Sequence, residues 1–100
     1  MYRLFESIIN IDRMEHAVSL FGSFDENINI IEKEFNVTVV SRGSELRIQG
    51  DEEAVSLARR AVNGLLALVN KGESLNEQNV RYVISMVHEG NDDKLISMSS

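Results

Sequence analysis

The chain contains no cysteine, no proline and no tryptophan among its 100 residues. Without cysteine it has no disulfide, no thiolate metal site and no cysteine nucleophile, which is typical of a reducing compartment. The longest apolar run, Leu65–Val69, is far shorter than the roughly 20 residues that a membrane-spanning helix needs. No basic segment followed by an apolar one marks the N-terminus. The sequence therefore predicts one small soluble domain that carries no visible targeting signal and does not contact a membrane, and a reducing cytoplasm is compatible with it.

Basic side chains are in the minority. Ten lysines and arginines stand against sixteen aspartates and glutamates, which gives a formal net charge of -6. Bulk electrostatic attraction to nucleic acid needs the opposite sign. Any contact with nucleic acid must therefore depend on a local site.

Hydrophobic periodicity predicts the element order β-α-α-β-β-α-α. The first strand, over Tyr2–Ile11, carries apolar residues on both faces, which predicts partial burial on both sides. Leu4 and Ile8 lie on one of these faces, and Phe5, Ile9 and Ile11 lie on the other.

Two short helices follow in the prediction. Apolar residues recur at helical spacing from Met14 to Phe21, and Gly22 ends that helix. The next helix begins with a capping box formed by Ser23 and Glu26. Its apolar positions are Phe24, Ile28, Ile31 and Phe35, and Glu32, Lys33 and Glu34 are left for solvent.

The remainder of the chain predicts a hairpin and two further helices. Val37–Ser41 and Leu46–Ile48 alternate as strands around a two-residue turn at Gly43–Ser44. Asp51 caps a long helix that ends at Lys71–Gly72. A second capping box, Ser74 and Glu77, starts a final helix that ends near Gly90. Its apolar stripe requires a partner surface and consists of Val80, Val83, Ile84 and Val87.

These elements predict an α+β fold in which helices cover one face of a small, mainly antiparallel sheet. Residues 1–72 form the domain proper in this prediction. Residues 73–90 add an amphipathic helix, and residues 91–100 form a tail or linker without a sustained period.

Catalytic and metal-binding patterns are weak in this chain. His16 and His88 fall in different helices and lack the spacing that places two ligands on one helical face. Acidic residues at helix starts, such as Asp25–Glu26 and Asp51–Glu53, are explained by the helix macrodipole. No phosphate-binding loop is present. The sequence therefore predicts a non-catalytic segment that holds neither cofactor nor metal.

The junction Phe21–Asp25 between the two short helices has two interpretations. In the first, Gly22 ends one helix and Ser23 caps the next. In the second, the glycine-containing loop presses its backbone against a nucleic-acid backbone while a neighbouring apolar groove takes unstacked bases.

The element order resembles a KH-like domain of the first type, whose plan is β-α-(G-x-x-G)-α-β-β-α. Three runs are also similar to the N-terminal region of PhoH-like proteins: Leu20–Ile28, Ser41–Leu46 and Gly50–Val55. The resemblance covers nearly the whole chain. It implies a domain that precedes a P-loop ATPase domain in a cytoplasmic protein with a role in RNA metabolism. ATP and magnesium would belong to that missing domain, so we expect the chain to be a fragment cut before it.

The sequence departs from the KH pattern at the tetrad itself. The second glycine is replaced, giving Gly22-Ser23-Phe24-Asp25, and the Asp25 carboxylate would repel a phosphate. The Phe24 ring either stacks on a base or belongs to the core. Arg42 and Arg47 flank the hairpin turn and either contact phosphates or form part of a solvated strand edge.

Two functions are consistent with this sequence. The first is an accessory KH-like domain that binds single-stranded RNA weakly through Gly22, Ser23, Phe24, Asp25, Arg42 and Arg47. The alternative is a protein-interaction or oligomerisation module that packs against the ATPase domain or neighbouring subunits and has lost the nucleic-acid site. The acidic charge and Asp25 favour the alternative, whereas the retained position of the tetrad and the geometry of the two helices favour the first function.

Overall fold

The computed structural model describes residues 4–11, 26–42 and 44–91. The predicted helix over 14–21, the tetrad at 22–25 and the tail from residue 92 lie outside these described residues. The elements in the described part are β1 Phe5–Asn10, α1 Glu26–Phe35, β2 Thr38–Arg42, β3 Glu45–Gly50, α2 Glu52–Asn70 and α3 Glu77–Glu89.

The three described strands form one antiparallel sheet in the order β1-β3-β2. In the register, Ile48 of the central strand lies opposite Ser7 on one side and opposite Val39 on the other. Arg42 pairs with Glu45, so the hairpin turn contains two residues, as the sequence predicted. Both β1 and β2 are edge strands of this sheet.

Helices α1 and α2 cover the inner face of the sheet, and α3 packs against both helices. Leu46 and Ile48 of the central strand are fully buried beneath them. The predicted apolar stripe of the last helix, including Val80 and Val83, is buried in the same core. The α+β class, the antiparallel sheet and the coverage of one sheet face are confirmed, and the last helix finds its partner surface within the domain.

The prediction that the first strand is partly buried on both faces is wrong for the face that points away from the helices. Ser7, Ile9 and Ile11 are buried, whereas Leu4 is 63% exposed and Ile8 is 44% exposed. Phe5 belongs to the inner face but is 40% exposed at the start of the strand. Because the described helices all pack on one face, only alternate residues of β1 reach the core.

The ends of the helices differ in their capping. Asp51 occupies the predicted N-cap position of α2, but its side chain makes no capping hydrogen bond. The N-cap of α3 is Asn76, not Ser74, because the Asn76 side chain accepts a hydrogen bond from the Asn79 backbone N–H at 2.9 Å. Helix α3 ends, as predicted, at a left-handed Gly90 with φ of 77°.

No helix in the described part of the chain combines the length and apolar character needed to cross a bilayer.

Candidate nucleic-acid interface

Helix α1 and strand β2 run side by side in opposite directions. Asn36 reverses the chain in the left-handed conformation, with φ of 56°, and the Val37 N–H donates to the Glu32 carbonyl at 3.1 Å. Ten residues of helix span about 15 Å and five residues of strand span about 17 Å. The start of α1, which the predicted tetrad directly precedes, therefore lies at the same end of the domain as Arg42.

The Glu32 side chain joins the two elements close to the turn that connects them. Its carboxylate accepts a hydrogen bond from the Val39 backbone N–H at 2.9 Å. This N–H points outward from the sheet edge, because Val39 belongs to a non-hydrogen-bonded pair with Ile48. The expectation that Glu32 faces solvent is therefore wrong. Sequence reasoning missed this role because an acidic residue on the polar side of a helix gives no sign of a distant strand edge.

Arg42 is an exposed cation at the end of β2. It forms no ion pair with any residue in the described part of the chain. Its register partner is Glu45, which extends its carboxylate toward Arg47 instead. Arg42 is thus available to a phosphate at the end of the domain where α1 begins.

Arg47 lies at the centre of the outer face of the sheet, on the side opposite the helices. Its guanidinium is 3.3 Å from a Glu45 oxygen and 3.7 Å from a Glu6 oxygen. Gln49 donates a further hydrogen bond of 2.6 Å to the other Glu6 oxygen. The Arg47 Nε atom is buried and has no hydrogen-bond partner among the described residues. Two carboxylates therefore offset the charge of Arg47, which differs in this respect from Arg42.

A polar groove of about 290 Å³ separates α1 from α3 and begins at Glu26, next to the tetrad. Its charged lining residues are Glu26, Lys33, Glu34, Glu77 and Arg81. Glu77 and Arg81 form an ion pair of 3.0 Å within α3. Local sequence patterns do not predict this groove, because its two walls are separated by more than forty residues. With three acids against two bases, the groove gives no attraction to a phosphate backbone.

His88 packs against α1 near the far end of the same helix pair. Its ring centroid is 5.4 Å from that of Phe35, and its Nε2 atom is 3.6 Å from a Glu34 oxygen. Within residues 4–11, 26–42 and 44–91, no three acidic or histidine side chains converge as a metal site would require. His16 lies outside the described residues.

Sequence comparison relates this chain to one group of proteins. It is 34% identical to a PhoH-like protein of Bacillus subtilis over 84 residues, which are 84% of this chain and 26% of that protein. It is 36% identical to a PhoH-like protein of Mycobacterium tuberculosis over 77 residues, which are 76% of this chain and 22% of that protein. The chain belongs to the PhoH-like proteins. It spans about a quarter of the length of these curated relatives. No family model matches it.

Solved structures share the fold of this PhoH-like chain. Dim2p from Pyrococcus horikoshii superimposes with a TM-score of 0.65 at 19% identity, over 82% of this chain and 48% of that one. A protein of unknown function from Aeropyrum pernix gives 0.65 at 15% identity, over 95% and 52% of the two chains. At these identities the likeness concerns the fold alone. The PhoH-like chain has a KH-like fold, as the element order predicted.

In the frame of that fold, the predicted nucleic-acid residues fall into three groups. The tetrad Gly22–Asp25 precedes α1 but lies outside the described residues. Arg42 lies at the same end as the start of α1, and Arg47 lies on the outer sheet face between two carboxylates. The PhoH-like chain thus brings Arg42, but not Arg47, to the end of the domain where α1 begins.

Proposed function

We propose that the chain is a non-catalytic accessory domain of a PhoH-like ATPase and contacts single-stranded RNA weakly. The contact surface is the tetrad Gly22–Asp25 together with Arg42. The observation that carries this proposal is the antiparallel arrangement of α1 and β2. It puts the helix start at the same end of the domain as Arg42, which forms no ion pair with a described residue.

The start of α1 offers backbone donors to a phosphate. The first N–H groups of a helix have no partner within the helix and carry a partial positive charge. Glycine at position 22 allows a phosphate to approach this backbone closely. Asp25 and Glu26 oppose that attraction, so we expect low affinity and strong dependence on salt.

Phe24 and Arg47 differ in what they add to this proposal. A Phe24 ring that stacks on a base contributes about 1 to 3 kcal/mol. Arg47 contributes less than Arg42, since Glu6 and Glu45 already offset its charge. The parent protein would bind ATP and magnesium in its P-loop domain and act in the cytoplasm, and neither ligand is expected in this segment.

A fluorescence-anisotropy titration of short single-stranded RNA at low salt tests the proposal. We expect measurable binding that weakens as salt is added. Gly22→Asp should weaken it, and Asp25→Gly should strengthen it about two- to fivefold, because a charge at a helix N-terminus is worth about 0.3–1 kcal/mol. If wild-type and Asp25→Gly proteins both fail to bind at high micromolar concentration, the RNA proposal is wrong.

A protein-interaction role is the second candidate, and two contacts favour it. The Glu32 carboxylate occupies the outward N–H of Val39, so that edge donor is not offered to a base. The outer sheet face pairs its central arginine internally and exposes Ile8 and Val40 beside it. Such a face fits contact with the ATPase domain or with a neighbouring subunit better than contact with RNA.

A further inference from the structure

Among the described strands, β1 is an edge of the sheet that no further strand covers. The Ile11 N–H donates to the Ser44 carbonyl at 2.8 Å, so the odd-numbered residues of this strand direct their backbone groups toward β3. The backbone groups of Glu6, Ile8 and Asn10 therefore point away from the sheet. Within the described part of the chain, no backbone group pairs with them.

The opposite edge differs from β1 in its protection. On β2, the outward N–H of Val39 already donates to Glu32. Strand β1 pairs with β3 residue by residue without a bulge, contains no proline and has one charged residue, Glu6. Natural proteins usually protect an edge by such devices. Because β1 has no bulge, no proline and only one charged residue, it is the edge that is better able to pair with another strand.

Exposed apolar side chains concentrate at the same edge. Leu4 and Phe5 are 63% and 40% exposed, and Ile8, near the middle of the strand, is 44% exposed. Leu4 directly precedes β1. Among the other large apolar side chains exposed in the described residues, only Val40 and Tyr82 lie on other elements. An open backbone edge and exposed apolar side chains, which lie on both faces of the sheet, therefore coincide at one strand.

We propose that two copies of this chain pair through β1 in antiparallel fashion, with the two-fold axis passing Ile8. The two sheets then continue as one sheet of six strands. In this register, Ile8 lies against Ile8 of the second copy, and Glu6 lies opposite Asn10 of the second copy. The Asn10 amide donates to the Glu6 carboxylate, so apolar and polar positions are both complementary.

The neighbouring axes give poorer pairs. An axis through Glu6 places two carboxylates opposite each other, which destabilises a sheet. An axis through Ser7 places the Glu6 carboxylate opposite the apolar Ile8. An axis through Ile9 places the apolar Ile8 opposite the polar Asn10. The proposal deepens the protein-interaction function by naming the partner and the contact, and it does not depend on RNA binding.

Cysteine cross-linking tests this register, because the natural chain has no cysteine. Residues of a hydrogen-bonded antiparallel pair lie about 5.5 Å apart at Cα, a separation that suits a disulfide. We expect mild oxidation of Ile8→Cys to give a covalent dimer. Glu6→Cys and Asn10→Cys should cross-link when mixed but not when oxidised separately. Val40→Cys, on the same sheet face but on β2, is the matched control and should stay monomeric under oxidation.

Light scattering of the uncross-linked chain provides the second test. For the wild-type chain we expect a mass of twice 11.3 kDa at high concentration. Ile8→Lys should reduce this mass to that of a monomer, and Val40→Lys should leave it unchanged. Circular dichroism verifies that both variants fold, which their partial exposure favours. A monomeric wild type at millimolar concentration, or equal dissociation by Val40→Lys, overturns the proposal. Either result leaves the RNA titration unaffected, so the two proposals fail separately.

Discussion

Glu32 in α1 and Val39 in β2 are joined by a 2.9 Å hydrogen bond from the Val39 N–H to the Glu32 carboxylate. The bond spans seven residues of sequence and holds the helix alongside the edge strand. With the Val37 N–H bound to the Glu32 carbonyl at 3.1 Å, one residue fixes the start of β2 through both its backbone and its side chain. The position of Arg42 relative to the start of α1 depends on this attachment.

Removing this carboxylate should destabilise the fold. We expect Glu32→Ala to lower the free energy of unfolding by about 1–2 kcal/mol, because hydrogen bonds to charged groups contribute about 1.5–3 kcal/mol and water replaces part of this one. Glu32→Gln keeps an acceptor and should lose less. Urea denaturation measures both, with the exposed Lys33→Ala as control. Equal effects of Glu32→Ala and Lys33→Ala would show that the bond contributes nothing.

Helix α3 should contribute to the stability of the whole domain. Ile84 is 4% exposed and packs in the core, so Ile84→Ala should cost about 2–5 kcal/mol through lost burial and a residual cavity. Tyr82 on the same helix is 56% exposed, and Tyr82→Ala should change the free energy of unfolding by about 0.5 kcal/mol or less. Chemical denaturation compares the two variants. Similar small effects of both would mean that α3 does not belong to the cooperative unit.

The cap of α3 provides a narrower test. Asn76→Ala removes the acceptor of the Asn79 N–H and should destabilise the domain by about 1 kcal/mol. Ser74→Ala should have little effect, because Ser74 accepts the 2.7 Å bond from the Asn79 side chain through its backbone carbonyl. Thermal unfolding of the two variants ranks them. A larger loss of stability for Ser74→Ala than for Asn76→Ala would instead support the capping box that the sequence predicted.

The two arginines of the hairpin should differ in their effect on RNA affinity. Each phosphate contact with a single strand contributes about 0.7 to the slope of log affinity against log salt. We expect Arg42→Ala to reduce this slope by about that amount and Arg47→Ala to reduce it less. In a Glu6→Gln background, Arg47→Ala should reduce the slope by an amount closer to that of Arg42→Ala, because one of the two carboxylates that offset the Arg47 charge is removed. Anisotropy titrations at several salt concentrations measure these slopes, and identical slopes for both alanine variants contradict this assignment.

Sequence periodicity predicted much of this fold because local patterns specify local structure. The two-residue turn, the long helix ending at Lys71 and the buried stripe of Val80, Val83, Ile84 and Val87 all follow from spacing and punctuation. The exposure of Ile8 does not follow, because an apolar side chain gives no indication of which sheet face the helices will cover.

The site was harder to predict than the fold for a related reason. Arg42 and Arg47 look equivalent in sequence, and only the register places Arg47 between carboxylates from two strands. The helical pattern places Glu32 in solvent, because its partner is the backbone N–H of Val39 on another element, which the pattern does not reveal. Contacts of this kind depend on tertiary pairing, which periodicity does not encode.

The central claim is that RNA meets the domain at the start of α1. A titration of the ¹⁵N-labelled chain with short single-stranded RNA, followed by amide chemical shifts, tests it most directly. We predict salt-sensitive shifts at residues 22–27 and at Arg42, with Ile8 and the rest of β1 unchanged. An absence of shifts at high RNA concentration, or shifts confined to β1, would contradict the claim.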